Sequence, residues 1–134
     1  MAVQRSGYSG KPLYQKLGLK PGQALYALRA PKDYGAWLEL EKKPAFKARL
    51  GKEEAFIHAF FEEATGLEAT LAKLAAALAK DGMLWVSWRK GTKGGLKEDA
   101  FRAWALAHGL VDVKVCSVSE EWSGLKIVWR KENR

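Results

Sequence analysis

The sequence is poor in cysteine and in long apolar segments. Cys116 is the only cysteine among 134 residues, so no internal disulfide can form, and nothing in the cysteine usage suggests an oxidising compartment. No apolar segment follows Met1, which argues against a secretory signal peptide. The longest uncharged run, residues 103–111, is far too short to span a bilayer. A cytoplasmic protein without a membrane partner is therefore expected.

The sequence also lacks the motifs of common catalytic sites. It has no G-x-x-x-x-G-K-[ST] phosphate loop. Neither His58 nor His108 has a metal-ligand neighbour at useful spacing, so no metal site is predicted. His58, in an apolar segment, is predicted to be a hydrogen-bonded core residue. Cys116 has no activating partner nearby and is interpreted as a small buried side chain. No catalytic residue is predicted, and the sequence leaves open whether the protein is an enzyme.

What the sequence does contain is positive charge. The formal net charge is +8 and the isoelectric point is about 9.6. Three segments carry basic residues without any acid: 1–22, 42–52 and 89–97. Such a balance favours anionic partners. The single asparagine, Asn133, together with abundant Lys, Arg and Glu, indicates a heat-adapted source.

Helix and strand patterns alternate along the chain. The predicted strands are 24–28, an alternating edge strand 45–50, the apolar strands 55–61 and 83–88, and the valine-rich strand 111–118 followed by 125–129. Short helices are predicted for 12–17, ended by Gly18, and for 34–38.

Two longer helices are predicted between the later strands. The first begins at a capping box of Thr65 and Glu68, carries Leu67, Leu71, Leu74 and Leu78 on one face, and stops at Lys80 and Gly82. The second places Phe101, Trp104, Ala105 and His108 on its inner face and ends at Gly109.

Alternating strands and helices predict right-handed crossovers and a parallel sheet. The last two strands, joined by the turn 119–124, form an antiparallel hairpin instead. This combination is typical of a shortened, methyltransferase-type Rossmann sheet. We therefore predict a single three-layer α/β domain over residues 1–134, with about six strands, a C-terminal antiparallel hairpin and an irregular N-terminal arm over residues 1–11.

A nucleotide or S-adenosylmethionine site in such a sheet needs glycines after the first strand and an acid at the end of the second. Residues 29–35 contain no G-x-G, and Pro31 removes a backbone donor. The second predicted strand ends at Leu50 with no acid before Glu53. An ordinary methyltransferase or dehydrogenase is disfavoured, an unusual cofactor pose remains open, and no cofactor is predicted.

The best candidate site is the loop 89–97, between a predicted central strand and a helix. Its candidate ligand-binding residues are Lys90, Thr92, Lys93, Gly94 and Gly95. The two glycines free backbone N–H groups at the helix N-terminus, where the macrodipole favours an anion, and the two lysines add positive charge. The alternative is a solvated lysine-rich loop.

Two tryptophans flank this loop and are predicted to line the pocket. Trp88 precedes the loop, and Trp122 lies in the polar hairpin turn. An exposed Trp122 would mark a contact surface and favour a homodimer.

Six tryptophans and four tyrosines on a basic protein allow a nucleic-acid hypothesis, provided the rings are exposed beside the charge. Trp85, Trp104, Trp129 and Tyr26 are predicted to be core residues. The remaining candidate platforms are Tyr8, Tyr14, Tyr34, Trp88 and Trp122.

Four segments resemble a bacterial family of domains of unknown function: 7–13 (GYSGKPL), 16–23 (KLGLKPGQ), 81–90 (DGMLWVSWRK) and 109–128 (GLVDVKVCSVSEEWSGLKIV). The resemblance implies a reduced Rossmann domain similar to S-adenosylmethionine-dependent methyltransferases, and it implies no activity, substrate or catalytic residue. The stretch 31–54 departs most from the family.

Three functional hypotheses follow from these patterns. The first is a non-catalytic α/β protein that binds an anionic ligand or partner at the C-terminal edge of its sheet. The second is a divergent enzyme that binds S-adenosylmethionine or a nucleotide. The third is nucleic-acid binding through the basic segments.

Overall fold

The computed structural model describes residues 10–91 and 96–134 and contains a six-stranded mixed sheet. Its strands are β1 (Ala24–Leu28), β2 (Ala45–Phe46), β3 (Glu54–Phe61), β4 (Leu78–Arg89), β5 (Leu110–Ser117) and β6 (Trp122–Trp129). The helices are α1 (Leu13–Leu17), α2 (Tyr34–Trp37), α3 (Leu67–Ala77) and α4 (Glu98–Ala107), and a 3-10 turn spans Lys131–Asn133. The strand order is β2-β1-β3-β4-β6-β5. The first four strands are parallel, and β6 is antiparallel to both of its neighbours. The predicted fold class is confirmed.

Side chains alternate across the sheet, so each strand except the exposed β2 contributes to two separate cores. Ile57 and Phe61 of β3 pack with α3 and α4 on one side, which we call the α3–α4 face. Phe56, His58 and Phe60 point to the other side, the α1–α2 face, where α1 and α2 cover the sheet. The protein therefore has three layers, with the sheet in the middle.

The predicted end of the first helix and both predicted ends of the first strand are confirmed, and the helix begins one residue later than predicted, at Leu13. Pro12 precedes α1, and Gly18 follows it in the left-handed conformation, with φ of 79°, so that its N–H closes the last turn on the Gln15 carbonyl. β1 spans the predicted residues. Short segments flanked by proline and glycine are thus fixed by local chemistry.

The predicted ends of the third helix are wrong. Gly66, in the left-handed conformation, precedes α3, and the Thr65 side chain makes no capping bond. The chain then passes from Ala77 directly into β4, so Lys80 and Gly82 lie in the strand. The buried pairing of Leu78 with Glu54 of β3 overrides the helical stop signals.

The predicted edge strand 45–50 is also too long. Only Ala45 and Phe46 pair with β1, at the exposed edge of the sheet. The buried Glu54 carboxylate accepts hydrogen bonds from Lys47 Nζ and from the Gly51 N–H, both at 2.6 Å. These bonds connect both ends of the segment 47–51 to Glu54.

The predicted hairpin is confirmed, although β6 begins three residues earlier than expected, at Trp122. The N–H groups of Val118 and Ser119 donate to the Trp122 carbonyl and close the turn. His108, predicted on the inner face of α4, is exposed and stacks on the Trp104 ring at 4.4 Å.

Candidate anion-binding site

The loop predicted to bind an anion is described only in part. Thr92, Lys93, Gly94 and Gly95 lie outside the described residues. Lys90 is exposed, its N–H donates to the Glu121 carbonyl at 2.8 Å, and its Nζ donates to Ser117 Oγ at 2.6 Å. Lys90 thus faces the hairpin turn, and anion binding by this loop stays a prediction.

The two tryptophans expected to line the pocket lie on opposite faces of the sheet. Trp88 is buried on the α3–α4 face, where it stacks on Phe101 at 5.4 Å. Trp122 is buried on the α1–α2 face, edge-on to Phe60 at 5.2 Å. The structure does not bring the two rings to one cavity. A buried Trp122 also gives no support to the homodimer expected from its exposure.

Charges at the carboxyl ends of β3 and β4 are locally balanced. Arg89 donates to Glu62 at 3.0 Å and to Glu121 at 2.8 Å, and its guanidinium lies 4.8 Å from the centre of the Trp122 ring. The hydrogen bond to Glu62, together with the charge of Glu121, raises the pKa of Arg89 above its ordinary value. These carboxylates compete with any anion that approaches Arg89.

A second basic site, missed from the sequence, lies at the carboxyl end of β1. It is an open groove of about 440 Å³, which we call the β1 groove, on the α3–α4 face. Its lining residues are Tyr26, Leu28, Arg29, Ala48, Arg49, Leu50, Thr70, Lys73 and Leu74. β1, the loop after β2 and helix α3 therefore each form one wall.

The β1 groove is positively charged without compensation. Within residues 10–91 and 96–134, the side chains of Arg29, Arg49 and Lys73 form no ion pair or hydrogen bond with another residue. Arg29 also has φ of 56°, a left-handed conformation that costs a non-glycine residue roughly 1–2 kcal/mol. Strained residues of this kind concentrate at binding sites.

Glu54 holds one wall of the β1 groove in place. Its carboxylate is 4% exposed and bridges Lys47 and the Gly51 N–H, the two ends of the loop that carries Arg49. A buried carboxylate needs such partners, because an unpaired buried charge is costly. The position of Arg49 therefore depends on a residue that does not line the groove.

A buried polar chain underlies the carboxyl half of the sheet on the α1–α2 face. The Tyr34 hydroxyl is hydrogen-bonded to His58 Nδ1 at 2.7 Å, and His58 Nε2 to the Ser87 hydroxyl at 2.7 Å. All three side chains are at most 1% exposed. Burial lowers the pKa of His58 to about 3, so the ring is neutral, and burial raises the pKa of Tyr34.

These hydrogen bonds confirm that His58 is a hydrogen-bonded core residue. The burial of Tyr34 shows that its prediction as an exposed platform for base stacking is wrong. Tyr34 packs edge-on to Phe60 at 5.1 Å and to His58 at 5.0 Å. These contacts hold α2, the first helix after β1, against β3 and β4. We interpret the chain as structural, because every member is shielded from solvent.

The residues around β1 do not fit S-adenosylmethionine in the usual way. The turn 29–33 has no glycine, and Pro31 lacks an N–H. β2 is followed by Lys47 rather than by an acid that could bind ribose hydroxyls. The three cations of the β1 groove would also repel the positively charged sulfonium and amino groups.

The described part of the chain contains no group of three or more metal-ligating side chains that could hold an ion. None of its helices has the length and apolarity needed to cross a membrane.

Comparison with known proteins identifies the fold but no family. No family model matches the chain, so the resemblance to a bacterial family of unknown function has no support there. No curated protein matches it either.

Solved structures of methyltransferases share its fold. A Sulfolobus solfataricus protein, provisionally assigned as a type 11 methyltransferase, superposes with a TM-score of 0.57 at 12% identity, over 89% of this chain and 90% of that one. The ribosomal protein L11 methylase of Lactobacillus delbrueckii subsp. bulgaricus gives a TM-score of 0.54 at 12% identity, over 88% and 75%. The methyltransferase-like fold expected from the sequence is therefore confirmed.

Proposed function

We propose that this protein binds a phosphate-bearing ligand in the β1 groove, without a catalytic step. The observation that carries the proposal is the convergence of three unpaired cations, Arg29, Arg49 and Lys73, on one groove. The groove lies at the carboxyl end of a parallel strand, the edge at which doubly wound sheets receive ligands.

The apolar residues at the floor of the β1 groove restrict the class of ligand that it can bind. Leu28, Leu50 and Leu74 supply apolar surface, and Tyr26 supplies an aromatic ring. An apolar floor under a cationic rim suits a ligand that combines phosphate with a planar or apolar portion, such as a nucleotide. The Thr70 hydroxyl adds a polar contact from α3.

We test this proposal by thermal unfolding with AMP, pyrophosphate and S-adenosylmethionine as separate probes. A ligand that binds only the native state at ten times its Kd should raise Tm by roughly 4–6 °C in a domain of this size. We expect such a rise with AMP or pyrophosphate, at low millimolar concentration, and none with S-adenosylmethionine. If neither phosphate probe raises Tm, the proposal is wrong.

Three double variants, each of which removes two positive charges, locate the site. Arg49→Ala/Lys73→Ala should abolish the rise in Tm, whereas Lys42→Ala/Lys43→Ala, whose exposed residues line a different groove, should keep it. Lys90→Ala/Lys93→Ala tests the loop predicted from the sequence. If that variant alone loses the rise, the anion site lies at Lys90, Thr92, Lys93, Gly94 and Gly95 instead of in the β1 groove.

The second candidate function is a divergent enzyme that binds S-adenosylmethionine. Its support is the fold shared with the two methyltransferases, which are 12% identical to this chain. It predicts the opposite outcome, a rise in Tm with S-adenosylmethionine that survives removal of Arg49 and Lys73.

A further inference from the structure

A set of lysines occupies the part of the α1–α2 face that the helices leave open. Leu125 and Ile127 of β6 belong to the α3–α4 core, so Lys126 between them points to the opposite side. Cys116 of β5 packs against the α1–α2 core, and Lys114, two residues earlier, lies on that same side. The two strands therefore present lysines beyond the edge of α1.

Lys114 and Lys126 lie directly opposite each other in the antiparallel pair of β5 and β6. Like charges in this arrangement destabilise a sheet. Lys126 is half-buried, and burial together with the charge of Lys114 lowers its pKa. The fold tolerates a repulsion that a bound anion would relieve.

Two more lysines place their ammonium groups at Ser117, the last residue of β5. Lys16 of α1 donates from Nζ to the Ser117 carbonyl at 3.1 Å, and Lys90 donates to Ser117 Oγ at 2.6 Å. Burial lowers the pKa of Lys16, and the charges of Lys90 and Lys114 lower it further. We call Lys16, Lys90, Lys114 and Lys126 the lysine row.

The lysine row is extended, and three of its four lysines lack acidic partners among the described residues. Lys114 and Ser117, the positions at which the two pairs of lysines meet β5, are three residues or about 10 Å apart along the strand. Among the described residues, no ion pair joins Lys90, Lys114 or Lys126 to a carboxylate. Glu120 and Glu121 line a cavity with Lys90, and Glu121 is itself paired with Arg89. A single small anion would reach one pair, whereas a linear polyanion reaches both.

We infer that the lysine row binds the phosphate backbone of a nucleic acid without reading its bases. Lysines contact phosphates as point charges, and the counterions they displace supply the binding free energy. The cores of protein interfaces are instead depleted of lysine, which makes an acidic protein the poorer match. Trp85, which pairs with Lys126 in the sheet, and Trp122 are buried, so neither of these two rings can stack on a base.

The test is fluorescence anisotropy with a labelled 20-base-pair DNA duplex of arbitrary sequence, from 50 to 200 mM salt. Four phosphate contacts predict a slope of about −3.6 in log K against log salt, a loss of roughly 100-fold over this range. Lys114→Gln/Lys126→Gln should lower the slope to about −1.8, a loss of roughly 10-fold. This variant also removes a repulsive pair, so it should unfold at no lower temperature than the wild type.

Lys42→Gln/Lys43→Gln is the matched control, because it removes the same charge near the opposite edge of the sheet. We expect it to keep the wild-type slope. Equal effects of the two variants would show that net charge alone drives binding and would overturn the inference, as would no binding at 50 mM salt or equally strong competition by polyglutamate. Arg49→Ala/Lys73→Ala should bind the duplex as the wild type does, so this result does not depend on the β1 groove.

Discussion

Replacing His58 by leucine is expected to lower the free energy of unfolding by about 2–5 kcal/mol. The imidazole is the shared partner of the Tyr34 and Ser87 hydroxyls. A neutral ring has one donor and one acceptor, so one hydroxyl donates to it and the other accepts from it. Leucine fills the space but leaves both hydroxyls buried without a partner, at about 1–3 kcal/mol each. Urea unfolding at pH 7.5 measures the loss.

The control for this variant removes the whole polar chain. In Tyr34→Phe/His58→Leu/Ser87→Ala no buried hydroxyl remains, and we expect most of the lost stability to return, because replacing all partners by apolar groups can be nearly neutral. A triple variant as unstable as His58→Leu would show that packing around the ring, rather than hydrogen bonding, sets the cost.

The same histidine predicts a dependence of stability on pH. Its pKa is about 3 in the folded protein and about 6.5 in the unfolded chain, so only the unfolded chain binds a proton between these values. The stability due to the neutral ring is complete above pH 6.5 and is lost as the pH falls towards 3. We expect the wild type to lose about 1.4 kcal/mol per pH unit more than the triple variant between pH 6 and 4. Parallel stability curves for the two proteins would contradict this assignment.

The fold could be predicted because its signals are local. Gly18 fixes the end of α1, and the nearly continuous apolar stretch of β3, interrupted by His58, indicates a strand covered on both faces. The end of α3 could not be predicted, because Lys80 and Gly82 resemble a helix stop, whereas their place in β4 depends on pairing with a strand some 25 residues earlier. Long-range pairing overrides local propensity there.

The β1 groove was harder to predict from the sequence than the fold, because its residues come from three separate parts of the chain. Arg29 follows β1, Arg49 lies in the loop after β2, and Lys73 is on α3. The only sequence signal was the acid-free segment 42–52. Glu54, which positions Arg49, is a buried acid just outside that segment, and no local pattern indicates its role.

The β1 groove and the lysine row predict different ligands and different sensitivities to mutation. The β1 groove is concave, has an apolar floor and lies on the α3–α4 face. The lysine row is extended and lies on the other face, with buried rings beneath it. A small ligand should therefore raise Tm with little dependence on Lys114, and a polyanion should bind with little dependence on Lys73.

Replacing Gly82 by alanine is expected to lower the free energy of unfolding by about 3 kcal/mol, because the new methyl group would meet backbone on two sides. A Cβ at this position would lie 2.6 Å from the Glu54 carbonyl oxygen and 3.1 Å from that of Ala79. Neither oxygen can rotate away as a flexible side chain would. β3 and β4 must therefore separate at the irregularity in their pairing between Glu54 and Phe56. Urea unfolding measures the loss.

Gly35→Ala is the matched control for the Gly82 variant. A Cβ at Gly35 would make only ordinary contacts, the nearest at 3.5 Å to the Phe46 ring, and the residue lies in α2. We expect this variant to be as stable as the wild type or up to about 1 kcal/mol more stable, because alanine loses less backbone entropy than glycine on folding.

Displacing the backbone of Glu54 also shifts the carboxylate that holds Lys47 and Gly51, so Gly82→Ala should weaken ligand binding in the β1 groove even where it remains folded. Equal stabilities of the two variants would show that the β3–β4 pairing accommodates the methyl group. Unchanged ligand binding by Gly82→Ala would show that the β1 groove does not depend on the position of Glu54.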